Sequence, residues 1–180
     1  MNYEYNVVNV TKSSSLITED FANLTNKPTS CVSNGTIIGS PDYTPEDEFT
    51  GNSNVTWSYK GFACAPYYTK DVNSKGIGIG QRSANKNFIT ASGFTGGVGE
   101  IVVTYKFANP NNSATLQVFV NNSETAAASA SISGSRQDSA TGFGTATLAV
   151  NDATAASFTL KATKSSNDTF VITSVTWDGV

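Results

Sequence analysis

The sequence predicts an all-β protein: an antiparallel two-sheet sandwich of the jelly-roll type, with a short N-terminal arm. Three observations support this fold class. Segments rich in β-branched and aromatic residues recur along the chain, at spacings of roughly 8–12 residues that are typical of sandwiches. Residues that favour turns separate these segments. No segment has a convincing helical period of apolar residues.

The predicted strands follow one another with turn-forming residues between them. The strand-type segments are residues 3–10, 36–38, 55–59, 77–79, 88–90, 101–107, 115–120, 145–150, 157–162 and 170–177. Asn34-Gly35, Gly96-Gly97 and Asn121-Asn122 are among the turn-forming pairs. Asn and Gly tolerate the backbone conformations that tight turns require, so the chain is expected to reverse direction at these pairs.

The alternation of apolar and polar residues predicts which face of each strand is buried. The inward faces of 115–120 and 145–150 are expected to carry Leu116, Val118, Val120, Ala146, Leu148 and Val150. Trp57 and Trp177 lie on patterned strands and are expected in the core. In the last strand, the apolar residues share one face only if a bulge near Thr173 and Ser174 shifts the alternation.

The Ala-rich run at 125–131 is the one candidate for a helix. Its Ser and Thr content and its position between strands are equally consistent with an edge strand built from small residues. The sequence leaves both interpretations open.

Composition restricts the chemistry. The 180 residues include no histidine, and histidine is the side chain best suited to proton transfer near neutral pH and the commonest metal ligand. The carboxylates of Asp42, Glu46, Asp47 and Glu48 could in principle form an acid–base pair, but a charge run in a Pro-containing loop is more often a solvated face. We therefore expect a protein that is not an enzyme.

Charge and hydropathy exclude two classes of partner. The 11 Lys and Arg residues against 14 Asp and Glu give a net charge of -3, with no concentration of positive charge to hold phosphates, so nucleic acid is not an expected partner. No apolar run approaches the roughly 20 residues that span a bilayer, so membrane insertion is not expected. Cys31 and Cys64 are either one disulfide or two reduced thiols.

Residues 1–15 are predicted to be a separate arm or linker, and residues 16–180 the sandwich domain. Tyr3, Tyr5, Val7 and Val10 alternate as in a strand, and a Lys-Ser-Ser-Ser stretch at 12–15 follows them. One interpretation is a leader or the end of a preceding domain. The other is an arm that adds a strand to a neighbouring subunit.

From residue 18 onward the chain resembles the accessory jelly-roll-like β-sandwich domains, similar to carbohydrate-binding modules, of secreted and surface bacterial proteins. The resemblance is carried, in order, by Thr-Glu-Asp-Phe-Ala-Asn-Leu-Thr at 18–25, Glu-Phe-Thr-Gly at 48–51, Val-Thr-Trp-Ser-Tyr at 55–59, Lys-Gly-Ile-Gly-Ile at 75–79, Gly-Gly-Val-Gly at 96–99 and Ile-Thr-Ser-Val-Thr-Trp at 172–177. Gln81-Arg82 stands where the family usually has Leu-Arg. The resemblance implies a sandwich without catalytic residues of its own, and such domains are also plausible in virion decoration proteins.

Jelly-roll modules of this kind often carry a structural calcium ion that ties the first strand to the last. Such a site needs six to eight oxygen ligands. Glu19, Asp20 and Asp178 are the candidate ligands, because the first and last strands of sandwiches are commonly neighbours.

Binding of a glycan needs aromatic rings for the apolar faces of sugars and planar polar groups for the hydroxyls. A long loop is predicted after Tyr59, and the aromatic residues in and beside it are Tyr59, Phe62, Tyr67 and Tyr68. Gln81, Arg82 and Asn85 follow on a neighbouring segment. Together they are the predicted ligand site.

The glycines at 76, 78 and 80 lack the following helix and the spacing of a nucleotide-binding loop. Instead they leave one strand face bare, which permits close approach by another backbone or a ligand.

The function expected from the sequence is non-catalytic recognition of carbohydrate, extracellular or at a cell surface. The alternative is a structural role on a virion surface or in an extracellular assembly, as a decoration or head-fibre protein or a subunit anchored to like subunits through the arm.

Overall fold

The computed structural model describes residues 15–26, 46–60, 62–66, 75–79, 88–107, 113–133, 143–164 and 170–180, with the backbone alone described at 62–66, 75, 164 and 170. These ranges form twelve strands and contain no helix: β1 (Ile17–Asp20), β2 (Asp47–Thr50), β3 (Thr56–Lys60), β4 (Phe62–Pro66), β5 (Lys75–Ile79), β6 (Phe88–Ser92), β7 (Val98–Phe107), β8 (Ser113–Val120), β9 (Ala128–Ser133), β10 (Gly144–Asp152), β11 (Ser157–Lys164) and β12 (Phe170–Trp177). It follows that none of these ranges holds a helix able to span a membrane.

The strands form two antiparallel sheets of six strands each. Sheet A has the order β10-β7-β12-β5-β4, and β1 also pairs with β12. Sheet B has the order β2-β3-β6-β11-β8-β9. The chain passes repeatedly from one sheet to the other between β3 and β12, as in a jelly roll. The predicted fold class is confirmed.

The strand β12 pairs with three other strands of sheet A. Its first half pairs with β5, where Ile172 lies opposite Ile77, and its second half pairs with β1, where Trp177 lies opposite Ile17. Along its other edge it pairs with β7, and the register shifts between Ile172 and Ser174. The bulge predicted near Thr173 is therefore confirmed.

The bulge has its own hydrogen bonds. The Thr173 hydroxyl donates to the Thr104 carbonyl at 3.2 Å, and the Thr173 carbonyl accepts from the Phe21 backbone N–H at 2.9 Å. These contacts use the polar groups that the irregular register takes out of the ladder. As a result Ile172 and Val175, three residues apart, both reach the core.

An aromatic cluster joins the two sheets. Trp57 on sheet B and Trp177 on sheet A are both buried, and their rings meet edge to face with centroids 5.9 Å apart. Phe158 lies 6.0 Å from Trp57 and 5.2 Å from Trp177. Edge-to-face pairs of this kind are worth about 0.5–1.5 kcal/mol beyond their buried area. The expectation that both tryptophans are core residues is confirmed.

The Ala-rich run is an edge strand and not a helix. Within the described part of the chain, Ala128–Ser133 forms β9 at the end of sheet B and pairs only with β8. Ile132 is buried, whereas Ser129 and Ser131 are exposed. Small residues that alternate in this way satisfy the two-residue period of a strand.

The glycine-rich segment 75–79 forms β5. A Cβ atom on Gly76 would collide with the backbone of Ile172 on the neighbouring β12 and would lie 2.8 Å from Val171 Cγ1. The predicted close approach by another backbone is therefore confirmed at Gly76, and the approaching strand is β12.

Candidate functional site

The outer face of sheet B is the candidate site. On β3, β6, β11 and β8 the residues that point into the sandwich are buried, and the residues between them are partly exposed. The partly exposed set includes Phe88, Phe119, Lys60, Lys161 and Gln117. We call these five residues the platform.

The ladder places the platform residues in adjacent rows. Lys60 on β3 lies opposite Phe88 on β6, and Phe88 lies opposite Lys161 on β11. Lys161 in turn lies opposite Gln117 on β8. One row across four strands therefore reads ammonium, phenyl, ammonium, carboxamide, with about 4.8 Å between neighbouring strands.

The second row contains the other aromatic ring. Phe119 on β8 lies opposite Thr159 on β11, which lies opposite Thr90 on β6. The Thr90 and Thr159 hydroxyls are hydrogen bonded to each other at 2.8 Å. The Lys161 ammonium lies 4.8 Å from the centroid of the Phe119 ring and links the two rows by a cation–π contact.

A groove of about 360 Å³ continues the same side of sheet B along β8 and β9. It is lined by Ser113, Ala114, Thr115, Ser131, Ile132, Ser133 and Thr163. Five of these seven residues carry hydroxyl groups. Thr115 lies two positions before Gln117 on β8, and Thr163 lies two positions after Lys161 on β11. The groove therefore adjoins the platform directly. We call it the hydroxyl groove.

The platform carries two cations, and one of them, Lys60, lies near a carboxylate of the neighbouring edge strand β2: Glu48 is opposite Ser58 on the same outer face, two positions along the ladder from Lys60. In the part of the chain that the structure describes, the Lys60 ammonium has no hydrogen bond and no ion pair. The strands β3, β6, β8 and β11 contain no Asp or Glu. The carboxylates of sheet B lie on its edge strand β2, where Asp47 accepts from the Tyr59 hydroxyl at 3.3 Å.

The predicted ligand site is wrong for Tyr59. This residue is 1% exposed and packs against Phe49, with ring centroids 5.9 Å apart. It alternates with Trp57 on the inward face of β3, so its ring cannot stack on a sugar.

The other predicted ligand residues are not brought together by the described structure. The backbone of Phe62 lies in sheet A, opposite Gly78, and so in the other sheet from Tyr59. The remaining five, Tyr67, Tyr68, Gln81, Arg82 and Asn85, lie outside the described residues. A site built on them stays a prediction. Cys31 also lies outside the described residues, and only the backbone of Cys64 is described.

Of the predicted calcium ligands, Glu19 is a buried structural carboxylate. Its side chain is 0% exposed and accepts hydrogen bonds from the backbone N–H groups of Asn52 at 2.9 Å and Ser53 at 3.2 Å. The Trp57 indole donates to it at 3.2 Å, and the Ser53 hydroxyl also donates to it. Four donors therefore satisfy the carboxylate, and they fix the loop at 51–54 against β1.

The other two predicted ligands cap turns and strand ends. Asp20 accepts from the backbone N–H of Ala22 at 2.9 Å and from the Asn23 amide at 2.7 Å. Asp178 accepts from the Glu100 backbone N–H at 2.6 Å. Within the described ranges no three Cys, Asp or Glu side chains form a group that could hold a metal ion. Calcium binding stays a prediction, to be tested by the melting temperature in calcium and in chelator.

The platform could have been found from the sequence. The alternation that places Leu116 and Val118 inward also places Gln117 and Phe119 outward. The signal is a phenylalanine at an outward-facing position of a strand whose apolar and polar residues alternate. It is present at both Phe119 and Phe88. These two residues lie on strands, whereas the predicted ligand site is built around aromatic residues of a loop.

No protein-family model matches the chain, and no curated protein has significant sequence similarity to it. Solved structures similar to the chain include carbohydrate-binding modules, the kind of domain that the sequence resemblance named. A family 29 carbohydrate-binding module has 13% identity and a TM-score of 0.41, with 92% of each chain covered. A family 35 carbohydrate-binding module from Cellvibrio japonicus has 18% identity and a TM-score of 0.40, with 92% of this chain and 94% of the module covered.

A glycoside hydrolase family 43 arabinoxylan arabinofuranohydrolase from Bacillus subtilis is also similar, with 14% identity and a TM-score of 0.45. The match covers 76% of this chain but spans only 27% of the hydrolase. Likeness at this level bears on neither the ligand nor the site.

Proposed function

We propose that the outer face of sheet B binds a carbohydrate chain and does not cleave it. The observation that carries the proposal is the pair of partly exposed rings, Phe88 and Phe119, on the solvent side of a sheet whose other large aromatic residues point inward. A flat ring that is held on a strand offers its apolar face to the apolar face of a sugar, and the loss of rotamer freedom on binding is small.

The spacing of the rings suits an extended ligand. Phe88 and Phe119 are separated by one strand, β11, and by two positions along the ladder. At about 4.8 Å per strand and roughly 3.3 Å per residue, their Cα atoms are about 12 Å apart. A ligand that contacts both rings is therefore longer than one sugar unit.

The polar groups around the rings supply hydrogen bonds in both directions. Gln117 and the Ser and Thr hydroxyls of the groove can donate and accept, whereas the two lysines only donate. Sugar hydroxyls require both kinds of partner. The platform and the hydroxyl groove together therefore form a surface for a chain that lies across β6, β11, β8 and β9.

The test is retention of the full-length protein on immobilised polysaccharides and on a glycan array. We expect the Phe88→Ala, Phe119→Ala double variant to bind at least roughly tenfold more weakly, a loss of about 1.4 kcal/mol or more. Phe143→Ala is the matched control: Phe143 is 40% exposed, lies beside the Lys106 ammonium at 5.6 Å, and belongs to the opposite sheet's side of the molecule. It should bind as the unmodified protein does.

Retention of the double variant at full strength, with an unchanged melting curve, would remove the platform as the site. Absence of any retention of the unmodified protein would remove carbohydrate binding itself. We infer an extracellular or surface location only as a consequence of such a ligand.

The alternative, a structural subunit of a virion or an extracellular assembly, makes a different prediction. Light scattering would then give a defined oligomer that dissociates when residues 1–14 are deleted. A monomer with and without these residues supports the binding module.

A further inference from the structure

The positions of the two lysines on the platform indicate which class of carbohydrate binds there, an inference that rests on the proposed function. Lys60 and Lys161 lie on either side of Phe88, one strand away in each direction. Their Cα atoms are therefore about 9.6 Å apart, twice the distance between neighbouring strands. We infer that the carbohydrate is an acidic polysaccharide, with one sugar ring on Phe88 and its negatively charged groups directed at the two ammonium groups.

The four central strands of sheet B differ in charge from the chain as a whole. The protein carries 14 acidic and 11 basic side chains. Nevertheless the four central strands of sheet B contain lysines and no Asp or Glu. A negative group bound at Phe88 therefore lies one strand from each lysine and two strands from the carboxylates of β2, which favours an anionic ligand at this position.

The lysines are also not used by the fold. Among the described residues the Lys60 ammonium has no ion pair or hydrogen bond, and the one interaction of the Lys161 ammonium is with the face of the Phe119 ring. An ammonium group has three donors and no acceptor. A neutral sugar has no need of two such groups, because Gln117 and the hydroxyl groove already provide neutral donors and acceptors. A carboxylate or sulfate group does use them, in a charge-assisted hydrogen bond.

Single-stranded nucleic acid is the other anionic polymer that stacks on aromatic rings. Two features favour the polysaccharide. Binding along a phosphate backbone uses a row of basic groups, and the platform has two. The adjoining groove is lined by hydroxyls and carries no described cation.

The test compares probes that differ in charge alone. Polygalacturonate and its fully methyl-esterified form present the same sugar rings with and without carboxylates, and alginate and its ester form a second pair. Binding of the full-length protein to all four, and to an oligothymidylate, is measured at 20, 150 and 500 mM NaCl, concentrations that span Debye lengths of roughly 20 Å to 4 Å. The variants are Lys60→Gln, Lys161→Gln, their double, and the Lys60→Arg, Lys161→Arg double as the control that retains charge.

We expect the acidic form of at least one pair to bind at least tenfold more tightly than its ester at 20 mM NaCl, and this preference to fall as salt rises. The double glutamine variant should bind the acid no more tightly than it binds the ester, whereas the double arginine variant should keep the preference.

Two results would overturn the inference and leave the proposed function intact: equal binding of acid and ester that is lost in Phe88→Ala, or unchanged acid binding in the double glutamine variant. Tighter binding of oligothymidylate than of every polysaccharide would overturn the inference in favour of nucleic acid. Failure of the proposed function has a different signature, since then neither acid nor ester binding responds to Phe88→Ala, Phe119→Ala.

Discussion

Two polar regions of this molecule use their charged groups in opposite ways. Around Glu19, a carboxylate is fully buried and four donors of the same chain satisfy it. On the platform, the Lys60 ammonium is partly exposed and no described group pairs with it. The difference separates polar side chains that hold the fold together from polar side chains that remain open to a ligand. Mutations in the two regions should therefore affect different measurements.

The largest expected effect is that of Glu19→Ala. The substitution leaves the Trp57 indole N–H buried without an acceptor and removes the acceptor of the partly buried backbone N–H groups of Asn52 and Ser53. Breaking a buried charged network from one side typically costs about 3–5 kcal/mol. Urea unfolding should show this loss, and Glu48→Ala, which removes an exposed carboxylate from β2, should change the free energy of unfolding by less than about 0.5 kcal/mol. Equal effects of the two substitutions would contradict the structural role of Glu19.

Two phenylalanines on neighbouring strands, Phe158 and Phe119, should affect different properties: Phe158 the stability of the fold, and Phe119 the binding of polysaccharide. Phe158 on β11 is buried in the aromatic cluster, and Phe119 on β8 faces outward. Phe158→Ala should cost about 3–5 kcal/mol of unfolding free energy, as other buried aromatic truncations do. Phe119→Ala should cost less than about 1 kcal/mol and should weaken polysaccharide binding instead. A large stability loss from Phe119→Ala would mean that its ring belongs to the fold.

A smaller effect is expected in the loop that Glu19 fixes. Asn54 has a φ of 61°, and its N–H donates to the Gly51 carbonyl at 3.1 Å. Asn tolerates this left-handed conformation better than Ala does, which is strained there by roughly 1–2 kcal/mol. Asn54→Ala should therefore lower the unfolding free energy by about 1 kcal/mol, and Asn54→Gly should be close to neutral. Identical urea curves for both variants would show that the conformation of Asn54 has no energetic role.

The smallest effect concerns pH. Burial raises the pKa of the Tyr105 hydroxyl above its ordinary value of 10.0, and the hydroxyl donates to the Ser133 carbonyl at 3.2 Å, a hydrogen bond that only the protonated form can make. A raised pKa in the folded state means that the unfolded chain loses the proton first, so the stability from Tyr105 is complete below pH 10 and falls as the pH rises beyond it. Tyr105→Phe should reduce the drop in melting temperature between pH 9 and pH 11. An unchanged drop would assign alkaline unfolding to other groups.

Much of sheet formation could be predicted from local pattern, because β3, β6, β7, β8, β10, β11 and β12 carry runs of β-branched and aromatic residues on alternating faces. β1 and β2 could not, because each is four residues long and contains the polar sequences Thr-Glu-Asp and Asp-Glu. Their conformation comes from pairing with β12 and β3. Pattern alone does not contain that long-range information.

At the site, residue type alone does not predict which side chains reach a ligand. Aromatic residues follow Tyr59 in the sequence, but its two-residue spacing from Trp57 places it inward. Phe88 and Phe119 lay on correctly predicted strands, and the same spacing places them outward. The row that joins Lys60, Phe88 and Lys161 depends on which strands are neighbours, and only the structure gives that order.

The position of β12 has a consequence for how this protein forms. The strand at 170–177, the last of the twelve described strands in chain order, lies in the interior of sheet A and pairs with β1, β5 and β7. The hydroxyls of Thr18 and Thr176, 158 positions apart in the chain, lie 3.0 Å from each other. Sheet A therefore cannot close until synthesis has passed residue 177, and its pairings have the large sequence separations that make folding slow. Until then one edge of β7 is unpaired and can pair with other chains, so the chain is most vulnerable to aggregation before residue 177 has been made.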